Sequence, residues 1–597
     1  MSEQLLTRLQ RSGALRSIDV EFARLLARVD NGSSDAFALA AAAASQAIAQ
    51  GHSCLPLSAL GEVLAAGANE PLRIELPDLP TLRAALSASP LVGGADDPRN
   101  TPLVFDGGER LWLRRYSHYE RRVAAGLLAR ARSLRPSVDP AFVRACLARW
   151  FPAGEDTNSQ AIAVALGLRA QLAIISGGPG TGKTTSVLWL LVTLLESAQV
   201  RGAPLPRIRL AAPTGKAAAR LGESIRERKA DIDCSDAVRA AIREEDTATI
   251  HRLLGYRPRD GFRHDRATPL VADIVVVDEA SMIDLPLMAH LLDGLREDTA
   301  LILLGDVDQL ASVEAGHVLA SIGAAGAEAN RYSAPTAEYL RATTGFELPR
   351  AAAPRHALAD TFVELRSSHR FGAESGIGRL AQAIRAGDPV AALAVLSAGD
   401  DGVEWRRGDR AQFARTTREQ WSVRHRAVGA AASAQDALAI AARFRILTAL
   451  REGPFGCIAL NHALEDGLGD VSGWYHGRLV MITANDYRRN LFNGDIGVAW
   501  RSPDGRLEVW FSGEGASLRA FAPYTLPAHE PAFAMTVHKS QGSEFNAVAV
   551  VLPDTTNRVL GRELLYTAVT RARENVVVYG DELIVRTAIE HRIERWS

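Results

Sequence analysis

A glycine-rich loop that carries a lysine is the stretch whose residue types point most directly to chemistry. Residues 177–184, GGPGTGKT, match the pattern G-x-x-x-x-G-K-[ST] and stand between an apolar run at 172–175 and a helical run at 186–197. Such a loop presents backbone N–H groups and a helix N-terminus to phosphates, while its lysine and threonine serve the β- and γ-phosphates and Mg²⁺. The sequence therefore predicts a site for ATP and Mg²⁺. Its predicted binding residues are Gly177, Gly178, Pro179, Gly180, Thr181, Gly182, Lys183, Thr184 and Thr185.

Two carboxylates follow a second apolar run. The sequence DIVVVDEASMID sets four β-favouring residues before Asp278 and Glu279, which predicts a buried parallel strand that ends in both carboxylates. In a P-loop enzyme we expect Asp278 to hold Mg²⁺ together with Thr184, and Glu279 to orient and deprotonate the attacking water. A third run, ALILLGDVDQLASV, ends near Gln309, which is predicted to face the γ-phosphate from the neighbouring strand.

Two further blocks distinguish a motor from a small P-loop switch or kinase. Residues 207–221, RIRLAAPTGKAAARL, place Thr214 and Lys216 between a strand and a helix, where backbone amides and a lysine meet a second phosphate group. Residues 564–579, LLYTAVTRARENVVVY, put Arg571 in a turn between a helix and a strand. If a second α/β lobe supplies this arginine to the γ-phosphate, closure of the cleft between the lobes depends on ATP.

The elements that must position these residues alternate between apolar strands and helices along most of the chain. This alternation predicts an α/β fold with two lobes, the first at 111–355 and the second at 356–597. Alternating apolar residues and the turn Asn493-Gly494 predict a small β-barrel inserted in the second lobe at about 470–530. Residues 1–110 have apolar residues at helical spacing and no nucleotide motif, which predicts an α-rich domain.

Composition limits the classes of function. The formal net charge of −1 over 597 residues argues against nucleic-acid binding by the whole surface and leaves a local basic channel open. Only four lysines stand among 68 basic residues, and Lys183, Lys216 and Lys539 all lie in glycine-containing motifs. The four cysteines are far apart without a CxxC pair, so neither a disulfide framework nor a zinc site is expected. Because no signal or membrane-spanning segment is recognisable, we expect a cytoplasmic protein without membrane contact.

Seven segments together resemble the superfamily 1 helicases, and the resemblance covers nearly all of residues 155–597. In chain order they are GGPGTGKTT, APTGKAAARL, VVVDEASM, GDVDQLASVEAG, LRSSHRF at 365–371, TVHKSQGSEF and YTAVTRAR. The resemblance implies two RecA-like P-loop lobes and ATP-driven movement along nucleic acid. It also implies that Gln160 reads adenine and that Arg370 and Arg571 contact the γ-phosphate.

The same resemblance implies which residues touch single-stranded DNA. They are Thr214, Lys216, His251, Thr536 and His538. For His251 a packed structural role remains an alternative, and for Arg573 an ordinary ion pair is favoured over catalysis.

Two regions outside the motifs resemble one branch of this superfamily. The inserted region, GRLVMITANDYRRNLFNGDIGVAW, is similar to the Src-homology-3-like insertion of the RecD branch, whose members move 5′ to 3′. The first residues, among them LLTRLQRSGALRSIDVEFARLLAR and LVFDGGERLWLRRY, are similar to the beginning of that branch. This resemblance implies that residues 1–110 dock RecB-like and RecC-like subunits, and that the assembly binds single-stranded DNA and duplex ends.

The sequence thus favours an ATP-dependent 5′→3′ DNA helicase subunit that processes double-strand breaks. A nuclease strand of the acidic-x-Lys type is absent at Lys183, Lys216 and Lys539. Glu227-Arg228-Lys229 has this spacing but lies in a helical run, with no aspartate between it and Asp156, so we assign no nuclease site. Two alternatives remain: an independent DNA or RNA helicase of the same superfamily, and an ATP-gated regulatory subunit that does not move. Complete motifs in both lobes weigh against the second alternative, because a switch does not need them all.

Overall fold

The computed structural model describes most of the chain. It covers residues 2–30, 34–68, 74–135, 138–151, 158–325, 330–349, 356–366, 375–399, 401–407, 413, 417–468, 473–486, 488–502, 504–513 and 517–597. Within these residues the chain forms four sheets, and the six-stranded sheet and one of the two five-stranded sheets are parallel throughout. The α/β class expected from the sequence is confirmed. No helix in these ranges is long and apolar enough to cross a membrane.

The first part of the chain is a mainly helical domain with a small sheet. Its helices are α1 (Ser2–Arg11), α2 (Ser17–Asp30), α3 (Asp35–Ala49), α4 (Leu60–Gly67) and α5 (Leu79–Ala88). Its strands are β1 (Leu55–Pro56), β2 (Val92–Gly93), β3 (Leu103–Phe105) and β4 (Arg110–Leu113), in the order β1-β4-β3-β2. The alanine-rich α3 is the central helix, since its small side chains let neighbouring helices approach closely and most of them are buried. The strands, two to four residues long, give too short a pattern for sequence reasoning to find.

The first α/β lobe is a six-stranded parallel sheet covered by helices. Its strands are β5 (Leu172–Gly177), β6 (Ile208–Ala212), β7 (Ala248–Thr249), β8 (Ile274–Val277), β9 (Ala300–Gly305) and β10 (Phe362–Leu365), in the order β10-β5-β9-β8-β6-β7. Its helices are α6 (Arg114–Arg132), α7 (Pro140–Trp150), α8 (Ser159–Arg169), α9 (Lys183–Val200), α10 (Gly215–Asp231), α11 (Asp236–Ala241), α12 (Ile250–Leu253), α13 (Leu285–Asp293), α14 (Val318–Ala325) and α15 (Ala334–Thr344). Strands β5, β8 and β9 are buried throughout because helices cover both faces.

Because of strand β10, the first lobe extends further along the chain than the sequence predicts. It pairs in parallel with β5, with Phe362 opposite Ile174 and Leu365 opposite Gly177. Residues 362–365 therefore belong to the first sheet, although the sequence placed the boundary at residue 355. A short apolar strand has the same pattern in either sheet, so its partner is decided only by packing.

The rest of the chain forms a second lobe with an insertion. Its strands are β11 (Val403–Arg406), β12 (Phe444–Thr448), β13 (Leu479–Ile482), β14 (Ile496–Arg501), β15 (Leu507–Ser512), β16 (Leu518–Phe521), β17 (His529–Pro531), β18 (Ala534–Thr536), β19 (Phe545–Val551) and β20 (Ala572–Tyr579). Its helices are α16 (Gly376–Ala386), α17 (Pro389–Ala398), α18 (Ser422–Gly429), α19 (Ala434–Arg443), α20 (Cys457–Asp466), α21 (Arg562–Val569) and α22 (Glu582–Glu590). The lobe's parallel sheet has the order β11-β20-β19-β12-β18.

The inserted strands form their own antiparallel sheet, in the order β16-β15-β14-β13-β17. The sheet occupies the segment for which the sequence predicts a barrel, and the turn Asn493-Gly494 falls between β13 and β14. Gly494 has a φ of 94°, which suits glycine at a hairpin turn. A small apolar core of Val480, Ile482, Leu491, Ala499, Val509 and Phe511 holds this sheet together. Its closure into a barrel stays a prediction.

The order of the first sheet brings the chemical groups together. Strands β5, β9 and β8 are neighbours, and in a parallel sheet their carboxyl ends meet at one edge. The glycine-rich loop after β5, the loop of Gln309 after β9 and the carboxylates after β8 therefore lie side by side.

Candidate nucleotide site and nucleic-acid path

The glycine-rich loop joins β5 to α9 and turns at two glycines. Gly180 and Gly182 have φ values of 76° and 84°, a left-handed conformation that glycine adopts at little cost. Lys183 is the first residue of α9, and its Nζ donates to the backbone oxygens of Gly177 at 2.5 Å and Gly178 at 3.1 Å. The ammonium group is thereby held inside the curve of the loop.

Asp278 and Glu279 follow β8 in the same site. The Asp278 N–H donates to the oxygen of Ala211 at 2.9 Å, and Oδ1 of Asp278 accepts from the Glu279 N–H at 2.8 Å. Burial and the adjacent Glu279 charge raise the pKa of Asp278 to about 6, and Lys183 opposes this effect. Glu279 has a φ of 53°, a strained conformation for a residue with a side chain and one that clusters at functional sites.

Gln309 lies in the loop after β9 and is 4% exposed. Its Nε2 donates to Oδ2 of Asp306 at 3.2 Å, and the same carboxylate oxygen accepts from the hydroxyl of Tyr566 in α21 at 3.0 Å. The N–H of Leu310 donates to Oγ1 of Thr567 at 2.9 Å. This loop of the first lobe is therefore bonded directly to α21 of the second.

Arg571 comes from the second lobe, between α21 and β20, and is 2% exposed. Its Nη1 donates to the backbone oxygen of Ser543 and its Nε to that of Thr567, both at 3.2 Å. Two main-chain acceptors thus fix the orientation of the guanidinium group.

A cavity of about 170 Å³ between the lobes brings the predicted site residues together. Its lining includes Pro179, Gly180, Thr181, Gly182, Lys183, Thr184, Thr185, Asp278, Glu279, Gln309 and Arg571. Gly177 and Gly178 lie at the beginning of the same loop, and Arg370 lies outside the described residues. Both carboxylates, the lysine and an arginine of the other lobe therefore border one space.

A second cavity, of about 450 Å³, adjoins the first across the glycine-rich loop. Gly180, Gly182, Thr185 and Arg228 line both cavities. The second cavity also contains Gln160, whose Nε2 donates to the oxygen of Thr181 at 3.2 Å. Gln160 is therefore tied to the phosphate loop while it borders the neighbouring space.

Sequence reasoning missed the aromatic wall of this second cavity. The wall consists of Trp150, Phe151 and Trp189. The two indole rings stack with centroids 5.9 Å apart, and Phe151 meets Trp189 edge-on at 4.6 Å. Trp189 stands four residues after Thr185 and therefore lies on the same face of α9. This spacing was the signal in the sequence that could have placed Trp189 near the nucleotide site. An aromatic wall beside a phosphate loop can hold a purine base by stacking.

Thr214 and Lys216, two of the predicted DNA contacts, lie at the start of α10. The Thr214 side chain is the N-cap of that helix and accepts from the Ala217 N–H at 3.2 Å. Nζ of Lys216 donates to Oγ of Ser543 in the second lobe at 2.7 Å, and burial lowers the pKa of Lys216 to about 8. In this conformation Lys216 joins the two lobes.

The remaining DNA candidates lie at the edges of the two parallel sheets. His251 follows the edge strand β7 of the first sheet, and Thr536 ends the edge strand β18 of the second, two residues before His538. The ring of His251 packs against those of Tyr256 and Phe262, with centroids 5.4 and 5.6 Å away. This packing supports the structural alternative for His251.

An ion pair that the sequence did not predict joins the lobes beside the first cavity. Nη2 of Arg220 lies 2.5 Å from Oε1 of Glu544, and Nη1 of Arg220 donates to the backbone oxygen of Gly542. Arg573 pairs with the other oxygen of Glu544 at 3.0 Å, which is the ion pair favoured from the sequence. Because Arg220 stands four residues after Lys216 on the same face of α10, its helical position was the signal available in the sequence.

The donor set near the phosphate loop fits Mg²⁺ that arrives with a nucleotide. Among the residues that the structure describes, no three His, Cys, Asp or Glu side chains group as a metal site. Thr184 and Asp278 nevertheless border the same cavity. Mg²⁺ takes few protein ligands at such sites and completes its shell with phosphate oxygens and water.

Comparison with known proteins identifies the family. A model of the AAA domain matches residues 160–315, one of the RecBCD enzyme subunit RecD N-terminal domain matches 11–112, and one of the UvrD-like helicase C-terminal domain matches 531–579. The RecBCD enzyme subunit RecD of Mycobacterium tuberculosis is 40% identical over 593 residues, which cover 98% of this chain and 94% of that protein. The chain belongs to the RecD family.

Further relatives lie within the RecD family and beside it. The RecBCD enzyme subunit RecD of Haemophilus influenzae is 36% identical, over 84% of this chain and 81% of its own length. The ATP-dependent RecD2 DNA helicase of Deinococcus radiodurans is 31% identical, over 69% of this chain and 47% of its own length. Membership in the RecD family confirms the resemblance found in the sequence and the helicase fold that it implied.

Proposed function

We propose that this RecD-family chain is an ATP-dependent DNA helicase that moves 5′ to 3′ along single-stranded DNA. It acts in the cytoplasm with RecB-like and RecC-like subunits on duplex ends, in the processing of double-strand breaks. The observation that carries the proposal is the position of Arg571. Its guanidinium group belongs to the second lobe and borders the first cavity, beside the glycine-rich loop of the first lobe, which we call the phosphate cavity. A protein that only stores nucleotide needs no arginine from a second lobe.

In this proposal ATP lies across both cavities, with its triphosphate in the first and its base in the second. Lys183 and the N-terminus of α9 neutralise phosphate charge, and Thr184 with Asp278 hold Mg²⁺. Bound Mg²⁺ supplies further neutralisation of the β- and γ-phosphate oxygens. The stacked aromatic wall and Gln160 orient the base.

The hydrolytic step uses groups from both lobes. Glu279 orients the attacking water and accepts its proton, and Arg571 stabilises the charge that develops as the bond to the β-phosphate breaks. Gln309 stands next to Leu310, whose N–H is bonded to Thr567 of the second lobe. Through this bond, the presence or loss of the γ-phosphate changes the position of α21.

Movement follows from contacts that cross between the lobes. Lys216 bonds to Ser543 and Arg220 pairs with Glu544, so α10 of the first lobe holds the loop after β18 in the second. Loss of the γ-phosphate removes the partner of Arg571 and lets the lobes separate, and new ATP closes them. Each cycle shifts DNA contacts on one lobe relative to those on the other.

The proposed DNA path runs over the carboxyl ends of the edge strands β7 and β18. Thr214, Lys216 and His251 lie on its first-lobe side, and Thr536 and His538 on the second. Burial lowers the pKa of His538 to about 4, so this ring meets DNA as a neutral hydrogen-bonding group.

Partner docking is assigned to the first domain, and α2 offers the surface for it. Ile18, Leu25 and Val29 are 65%, 53% and 58% exposed and lie at i, i+7 and i+11 on one face of the helix, with half-buried Phe22 between them. An exposed apolar stripe of this kind marks an interaction surface. Because relatives are named as subunits of RecBCD, we assign the stripe to the RecB-like and RecC-like partners.

Strand displacement on duplexes with a 5′ or a 3′ single-stranded tail tests the proposal. We expect ATP-dependent unwinding from 5′ tails in the presence of the partner subunits. The Lys183→Gln chain should assemble normally and contribute no unwinding, because its lysine acts on phosphates. Unwinding from 3′ tails alone would show that the chain moves in the opposite direction to the one proposed. DNA-stimulated ATP hydrolysis without strand displacement on either tail would favour a regulatory subunit.

A stand-alone helicase is the second candidate, because the chain is 31% identical to a RecD2 DNA helicase over 69% of its length. It predicts that the purified chain alone unwinds 5′-tailed duplexes at the rate measured with partners.

A further inference from the structure

The segment at 591–597, which follows α22 of the second lobe, packs on the first domain. The Trp596 ring stacks on the His52 ring with centroids 3.9 Å apart and planes at 16°. The Trp596 N–H donates to Nδ1 of His52 at 3.2 Å, and the Ser53 N–H donates to the oxygen of Trp596 at 2.9 Å. Ring stacking, one main-chain bond and one bond to the His52 ring therefore hold the segment on the loop after α3.

Arg595, one residue earlier, is bonded to the loop that follows Gln309. Its Nη2 donates to the backbone oxygen of Ser312 at 2.7 Å, and its Nη1 donates to those of Glu314 at 2.9 Å and Gly316 at 3.2 Å. A planar guanidinium group that satisfies three main-chain acceptors fixes the path of that loop.

Gly51 is the point at which the first domain, the loop and Arg595 meet. Its φ is 93°, and a Cβ added there would lie 2.8 Å from Cζ of Arg595. Its backbone oxygen accepts from the Gly316 N–H at 2.9 Å. The backbone conformation favours glycine here, and any side chain at this position would displace the guanidinium group from its place.

The loop is thus held at both ends by parts of the chain outside its own lobe. At its beginning, Leu310 bonds to Thr567, and Nε2 of Gln541 donates to the oxygen of Leu310 at 2.6 Å. At its end, the backbone oxygens of Glu314 and Gly316 accept from Arg595. Gln309, which borders the phosphate cavity, directly precedes the loop.

The charges around Arg595 are compatible with its position. Burial and the Arg595 charge lower the pKa of His52, His317 and His538 to about 4. These rings are neutral near pH 7, so they do not repel the guanidinium group. They belong to the first domain, the end of the loop and the proposed DNA path, respectively.

We propose that Arg595 is a positioning residue for Gln309, and that the 591–597 segment couples the first domain to the phosphate cavity through the loop at 310–316. This inference rests on the proposed ATP-driven function for its kinetic consequence. It adds a route by which a partner docked on the first domain changes ATP turnover.

The test compares Arg595→Ala with the control Arg586→Ala in the full-length chain. Arg586 lies on α22 and pairs with Glu582 and Glu590 of its own helix. We expect Arg595→Ala to lower kcat of single-strand-stimulated ATP hydrolysis by about tenfold or more, with the Kd for AMP-PNP within about twofold of the parent value. Arg595→Lys should recover part of kcat, since an ammonium can donate to some of the same oxygens.

Hydrogen exchange provides a readout that does not depend on hydrolysis. In Arg595→Ala, amide exchange should accelerate at 310–316 and 51–53 together, and remain unchanged in Arg586→Ala. Unchanged exchange at 310–316, or acceleration spread over the whole chain with loss of AMP-PNP binding, would overturn the positioning role. Absence of DNA-stimulated hydrolysis in the parent chain would instead refute the proposed function. The exchange result would still show whether Arg595 holds the loop at 310–316 in place.

Discussion

Main-chain groups hold single residues of the site in place. The loop carbonyls hold Lys183, the Glu279 N–H bonds to Asp278, and two carbonyls of the second lobe hold Arg571. Groups fixed in this way stabilise charge without reorganising during the reaction. Their removal should therefore affect turnover more than binding.

Arg571→Ala tests this expectation. We expect kcat to fall about a thousandfold or more, with a small change in nucleotide affinity, because the guanidinium acts on charge that develops at the γ-phosphate. Steady-state hydrolysis with single-stranded DNA and AMP-PNP binding measure the two effects. Arg586→Ala is the control, since that arginine pairs with Glu582 and Glu590 of its own helix. Lost affinity with unchanged kcat would make Arg571 a binding residue only.

Trp189→Leu tests the aromatic wall. Stacking of a base on an aromatic ring contributes about 1–3 kcal/mol, so we expect the Kd for ATP to rise about tenfold. Binding of inorganic tripolyphosphate should not change, because it reaches only the phosphate cavity. Calorimetry with both ligands separates the two cavities, and Trp510→Leu in β15 is the control outside both linings. An equal loss for both ligands would contradict the base site.

At the scale of elements, helix α2 has one buried side and one exposed apolar side. Val20, Ala23 and Leu26 are buried in the core of the first domain, while Ile18 and Leu25 face outward. The sequence indicated apolar residues at helical spacing there. The structure buries one side of the helix and exposes the other, and we assign the exposed side to docking.

Leu25→Asp tests the docking face of α2. We expect co-elution with RecB-like and RecC-like subunits to be lost, because a charge replaces an apolar contact, while ATP hydrolysis by the chain alone persists. The substitution should change the free energy of unfolding by about 0.5 kcal/mol or less, since the side chain is 53% exposed. Leu583→Asp on α22, at 69% exposure, is the matched control. Complex formation by Leu25→Asp would place docking elsewhere.

The whole molecule has almost no net charge, so its DNA affinity depends on a few local contacts. The five DNA candidates include one lysine, Lys216, and two histidines, of which His538 has a pKa lowered to about 4. Each neutralised phosphate contributes a slope of about −0.7 to the dependence of log K on log salt for single strands. Few cationic contacts therefore predict a shallow salt dependence.

Fluorescence anisotropy with a labelled single strand tests this. Between 50 and 200 mM salt we expect the affinity to fall by about tenfold or less. Between pH 6 and pH 8 the contribution of His538 should not change, because a group with a pKa near 4 is already neutral throughout that range. A steep loss with salt would indicate cationic contacts beyond the proposed path. A loss as the pH rises to 8 would report the Lys216 ammonium, whose pKa is lowered to about 8.

The sequence by itself determined the parts of the site that are local along the chain. A glycine-rich loop between a strand and a helix, and two carboxylates at a strand end, have their geometry set by adjacent residues, so pattern alone located Lys183, Asp278 and Glu279. The same locality indicated the α/β class. The seven motifs indicated the helicase superfamily, and the inserted and N-terminal regions indicated the RecD branch.

Tertiary structure decided everything that depends on contact between distant residues. The sheet joined by β10, the aromatic wall around Trp189, the Arg220 pair with Glu544 and the bonds of Arg595 all unite segments far apart in the chain. Hydrophobic pattern specifies that a residue is buried and not which residue it meets, because the burial energy is nearly non-directional. Only close packing of the folded chain selects the partner.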